Sequence, residues 1–155
     1  MNALAIRPMG QAVAPLGLRA DLVALHQVLA ELEQGHGADP ALDAAIYAAL
    51  GWQVTTDRWG TRRRLAWRCR SPLSSGWEMV PEVTDCQDHA ALLVPYGWDY
   101  SAGRIDGHGR AWCREKRPLP GREMPRFFEV NRLTPARALA SAALFAVRAV
   151  AMEGC

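Results

Sequence analysis

The chain contains no uninterrupted apolar stretch of the roughly 20 residues that a membrane span needs. Its longest such run lies near the C-terminal end and stops at Arg148. The opening residues, MNALAIRPMG, lack the basic segment and following apolar run of a signal peptide. The four cysteines, Cys69, Cys86, Cys113 and Cys155, include no C-x-x-C pair, which fits reduced thiols better than a disulfide framework. The expectation from these absences is a cytoplasmic protein with no membrane partner. Phosphate-cradle motifs are missing as well. Gly103, Gly107 and Gly109 do not form a G-x-G-x-x-G that opens a helix, and no G-K-S/T loop exists. Lysine is nearly absent, with Lys116 the exception among the positive charges. Nothing here names a cofactor.

What is present suits one globular domain. The chain has 155 residues, half of them apolar and 22% charged, enough for a real core but short for two. Net charge is +2, unevenly placed: residues 1–51 balance at −3 and residues 52–155 at +5. Arginine supplies planar, bidentate pairing with carboxylates or phosphates.

Residues 1–16 hold two prolines, a glycine and no periodicity, and read as an arm. Residues 17–155 read as a single domain. Leu18, Leu22, Leu25, Leu29 and Leu32 form the stripe of an amphipathic helix, closed by Gly35-His36-Gly37. A second helix is expected after Asp39, a natural N-cap, with Pro40 at its first position and Gly51 beyond its end. Trp52–Thr56 and Leu65–Cys69 favour extended structure around Gly60, a hairpin within an arginine- and tryptophan-rich insertion at about 58–80. Thr84 and Gln87 make a T-x-x-Q capping box, predicting a short helix over 85–94. A strand over 98–105, a turn at Asp106–Gly109 and a strand over 110–117 make a second hairpin. RFFEVN reads as another strand. Thr134 and Pro135 open a last helix with Leu139, Ala143, Val147 and Val150 on its buried face. Consecutive hairpins with helices at intervals predict an α+β fold, an antiparallel sheet packed with helices.

Within this order, PEVTDCQDHAALLVPYGW resembles small phage and prophage proteins of the phage αβα-sandwich domain. Pro81, Thr84, Asp88, Ala90, Leu93, Val94, Pro95, Gly97 and Trp98 match that pattern, whereas Val83, Cys86 and His89 depart from its Tyr, Ser and Ala. RAWCRE is similar to the family's tryptophan-bearing strand, TPARALASAAL to its closing helix, and LDAAIYAALGW to a helix that often opens such domains. The likeness covers about residues 40–150 and carries no catalytic residues. It implies an αβα-sandwich-like fold and a phage or prophage accessory protein in a bacterial cytoplasm.

Several constellations bear chemistry. Cys86-x-x-His89 and His108-x4-Cys113 together offer two thiolates and two imidazoles for a tetrahedral zinc, although order and spacing are atypical. Packed, inert cysteines explain the same residues. A Cys–His nucleophile lacks an orienting third residue, and Asp85 and Asp88 are explained as first-turn helix charges. Surface recognition remains. Arg58, Trp59, Arg62, Arg63, Arg64, Trp67 and Trp77 bring together the residue types enriched at interface hot spots. The leading expectation is therefore a non-enzymatic protein that binds a host protein, an inhibitor of a bacterial defence system being one form. A small-ligand or nucleotide pocket lined by Trp98, Tyr100 and Trp112 is a second reading. Nucleic-acid binding through the arginine-rich hairpin is a third. Oligomeric state stays open.

Overall fold

The computed structural model describes residues 20–35, 37–59, 64–73 and 76–153, without the side chains of residues 57–59, 64 and 65. Helix α1 (Leu22–Gln34) opens on Asp21, whose carboxylate accepts the amides of Val23 and Ala24. That cap, not Leu18, sets its start; Leu18 lies outside the described residues. Leu25, Leu29 and Leu32 are buried as the stripe predicts. Helix α2 (Pro40–Ala49) follows Asp39, which accepts the Leu42 amide at 3.0 Å, and Gly51 takes a left-handed φ of 89° beyond its end.

Two antiparallel three-stranded sheets follow. The first joins β1 (Gln53–Trp59), β2 (Arg64–Arg70) and a two-residue β3 (Glu78–Met79) that the sequence does not announce. The second joins β4 (Trp98–Ile105), β5 (His108–Glu115) and β6 (Phe127–Arg132) in that order. Asp106 and Gly107 form a two-residue turn with φ of 50° and 80°, the doubly left-handed geometry that matches strand twist. The expected turn Asp106–Gly109 therefore shortens, and β5 spans His108–Glu115 instead of running to Arg117. These elements make the single-domain α+β fold with antiparallel hairpins that the sequence implies.

Between the sheets in sequence, helix α3 (Gln87–Ala91) is shorter than the expected 85–94. Its cap also differs. Cys86 stands at the N-cap without a side-chain bond, while Thr84 is buried and serves tertiary structure. The Asp39 amide donates to the Thr84 hydroxyl, and the Thr84 amide donates to Asp43, both at 2.8 Å. Gln87, freed from any capping box, donates to the Ala102 carbonyl on β4.

Helix α4 (Pro135–Glu153) is the centre of the core. Leu139, Leu144 and Val147 are essentially fully buried, each contributing about 1.5–3 kcal/mol relative to exposure. It lies on one face of the second sheet and touches α1 and α3. At 19 residues it is long and apolar enough to cross a membrane, which the absence of a longer unbroken run does not anticipate. Most of that stretch is buried inside this domain, as in a core helix. At its first turn, buried Arg137 donates to the carbonyls of Gly37 and Glu31, where α1 ends. At its last, Glu153 receives Arg122 at 2.7 Å and Arg126 at 3.0 Å, and Arg126 also holds buried Glu115.

Candidate functional site

The second sheet has two unlike faces. Strand alternation turns Trp98, Ala111, Cys113, Glu115, Phe128 and Val130 towards α4. Trp98 stacks on Phe128 at 5.9 Å and Phe128 on Phe145 at 6.0 Å, with Arg126 5.3 Å from the Trp98 ring. The opposite face carries no helix among the described residues. It presents Ser101, Gly103 and Ile105 from β4, Arg110, Trp112 and Arg114 from β5, and Phe127 and Glu129 from β6. Trp112 and Phe127 lie 6.1 Å apart, with Arg114 5.6 Å from the Trp112 ring. Arg110 pairs with Glu129 at 2.6 Å, and Phe127 is 51% exposed. A shallow cup of about 320 Å³ lies over Gly103, walled by Ile105, Arg110 and Trp112.

The edges of this sheet differ too. Glu115 donates its amide to the Arg126 carbonyl, and Lys116 donates to the Gly97 carbonyl. In an antiparallel ladder bonding alternates, so odd residues of β5 bond to β6 and even ones to β4. The amides and carbonyls of Phe127, Glu129 and Asn131 therefore face away from the sheet. Arg132 covers the Asn131 carbonyl. Among the described residues the others meet no partner. On the β4 edge, by contrast, Trp98 bonds within its turn and Ala102 receives Gln87.

This geometry redistributes the residues that the sequence singles out. Trp98, Tyr100 and Trp112 do not share a pocket. Tyr100 pairs with Cys113, and Trp112 pairs with Ser101, which puts Trp112 on the far face from the other two. Trp98 is core, whereas Tyr100 is 47% exposed. The two-residue Asp106-Gly107 turn fixes this register and is the sequence signal that separates them.

The four zinc candidates are also not brought together. Cys113 is buried under α4, and burial pushes its thiol up to about 12. His108 is exposed at the start of the same strand, five residues away and on the other face, roughly 17 Å distant by strand rise. Cys86 is the N-cap of α3 and His89 lies within it, and His89 accepts the Glu82 amide through Nδ1, which places its ring proton on Nε2. Among the described residues no group of three or more His, Cys, Asp or Glu side chains is arranged to hold a metal.

Of the arginine–tryptophan set, Arg62 and Arg63 and the side chains of Arg58, Trp59 and Arg64 lie outside the described residues. Trp67 and Trp77 part company. Trp67 shares a strand face with buried Cys69 and is half-buried, whereas Trp77 is exposed with Arg70 4.9 Å from its ring. Arg70 also donates to Gln53 at 2.9 Å. At this position arginine lies over tryptophan, the arrangement of an exposed hairpin.

A second concavity, of about 400 Å³, opens between the start of α2 and the first sheet. Trp67, Met79 and Val80 form its apolar wall, with Pro40 at the rim, and Asp43 and Glu82 supply carboxylates. Asp43 is only 2% exposed. Burial pushes its carboxyl up to about 6, against the opposing pull of the Thr84 amide and hydroxyl, and Asp39 and Glu82 add like charge. One turn on, Tyr47 is fully buried with its hydroxyl unpartnered. No sequence motif marks this cleft; the signal was an aspartate set within an apolar helix face beside Leu42 and Ile46.

No family model matches the chain, no curated protein matches it, and no solved structure matches it.

Proposed function

We propose that this protein acts by binding rather than by turnover, and that its partner is an extended segment of another protein laid along the free edge of β6. The single observation that carries this reading is the open edge beside an aromatic face on which no described helix lies. Outward amides and carbonyls of Phe127 and Glu129, with the Asn131 amide, offer the spacing that an added strand completes. Phe127 and Trp112 lie next to that edge and supply side-chain contact of the type enriched at interface hot spots. Arg114 pairs with no carboxylate among the described residues, so an acidic residue in the partner segment complements it. A protein segment suits this face better than a nucleic acid, because Arg110 is already committed to Glu129. This reading takes residues 81–98 as phage-like, with a bacterial host protein as the partner and the cytoplasm as the setting. Inhibition of a host defence complex is the biological form this reading takes.

Two substitutions test it by different routes. Asn131→Pro removes an outward amide that β5 does not use, and Trp112→Ala removes the ring beside the edge. Each is expected to abolish stoichiometric capture of a host protein by the full chain while its melting temperature stays near wild type. A captured partner retained equally by both variants would overturn the assignment of this surface.

A further inference from the structure

We propose that the cleft between α2 and the first sheet binds an organic cation, an ammonium or guanidinium group carried on a short alkyl chain. This site is separate from the β6 edge and does not depend on the reading above.

Two observations converge on that chemistry. The first is charge. Asp43 and Glu82 both line the cleft, and Asp39 stands close enough to add like charge at Asp43. Asp43 is buried, yet its donors are the neutral amide and hydroxyl of Thr84, and no cation among the described residues pairs with it. A carboxylate taken out of water is costly unless a positive charge accompanies it. An anionic ligand is repelled here, and a neutral one leaves that cost unrelieved.

The second is the wall. Trp67 is half-buried, with its side chain at the cleft beside Met79 and Val80. An aromatic face and a thioether beside carboxylates are the surroundings in which cationic head groups are held, through the ring quadrupole and polarisable sulfur. They are poor surroundings for a hydrated metal ion, which asks for several oxygen ligands where this cleft offers two carboxylates among apolar side chains. A volume of about 400 Å³ lies within the range of small-ligand sites and fits a guanidinium with a few methylenes.

The probes are agmatine, putrescine and methylguanidinium, titrated into the full chain by calorimetry, with butyrate as the anionic control of similar size. Saturable binding of agmatine is expected, with no heat from butyrate. Glu82→Gln and Trp67→Leu should each weaken agmatine at least ~10-fold, and Trp112→Ala should leave it unchanged. Glu82 is exposed and its amide, not its carboxylate, does the structural bonding, so the Gln variant keeps the fold. Absence of heat from all three cations up to about 10 mM, equal binding of butyrate, or affinity unchanged in both cleft variants would each overturn the proposal.

Discussion

Across 41 residues of chain, the Thr84 amide donates to the Asp43 carboxylate at 2.8 Å. A helix start and a loop in front of another helix are thereby fastened by a group whose charge the interior resists. The consequence is a pH dependence with a definite sign. Burial lifts Asp43 from 3.8 to about 6 in the folded chain. A carboxyl raised on folding contributes stability that is complete below about pH 4 and is lost as pH climbs through 6. The loss amounts to roughly 3 kcal/mol, at 1.36 kcal/mol per unit. Asp43→Asn, uncharged throughout, should flatten urea midpoints measured between about pH 4 and 7. Parallel slopes in the two proteins would sink the assignment.

Arg137 and Gly35 should prove strongly coupled. The guanidinium occupies the space a side chain at residue 35 would need, with Nη1 2.4 Å from the position of an added Cβ. Arg137→Met leaves the carbonyls of Gly37 and Glu31 unpaired and should cost about 2–4 kcal/mol. Gly35→Ala alone should also destabilise. In the Met background its penalty should shrink by about 1 kcal/mol or more, read from a double-mutant cycle of denaturation midpoints.

Two glycines on the second sheet predict opposite outcomes. A Cβ at Gly109 would lie 2.1 Å from the backbone of Thr134, which cannot swing aside, whereas one at Gly103 meets nothing. Gly109→Ala should cost about 1–3 kcal/mol. In a chain this size that lowers the melting temperature by about 3 °C per kcal/mol. Gly103→Ala should stay within about 0.5 kcal/mol of wild type. Equal melting temperatures for the two would contradict the close approach of β5 to the start of α4.

Thiol chemistry should sort the cysteines by burial. Burial pushes Cys69 and Cys113 each up to about 12, so neither presents thiolate at neutral pH. Cys86 is half-exposed. Brief alkylation of the native protein, mapped by peptide mass, should label Cys86 and spare Cys69 and Cys113 until denaturant is added. Rapid native labelling of Cys113 would place β5 differently.

Much of the fold was legible because its signals are local. Asp39-Pro40, Asp106-Gly107 and Thr134-Pro135 each act through their own backbone, and the structure uses all three where the sequence puts them. Thr84 was misleading for the converse reason. Its hydroxyl suits a cap, but a partner 45 residues away takes it, and no neighbouring residue records that. The sites were less legible still. The aromatic sheet face is defined by the absence of a covering helix among the described residues, and the acidic cleft joins α2 to β2 and to residues before α3. Spacing along one element reveals neither. Trp112 was recognisable as a strand aromatic; its separation from Trp98 needed the register that the tight turn imposes.

The position of α4 has a bearing on how the chain is made. Both α1, more than a hundred residues earlier, and the whole second sheet find their apolar partner in residues 135–153. Until that segment has left the ribosome, the inner side of β4–β6 lacks the helix that covers it, and α1 has only α2 to pack against. The hairpins and the packing of α2 on α1 and on the first sheet can form in the nascent chain, but the part of the core built on α4 cannot. An interval in which the inner face of the second sheet stays exposed during synthesis follows.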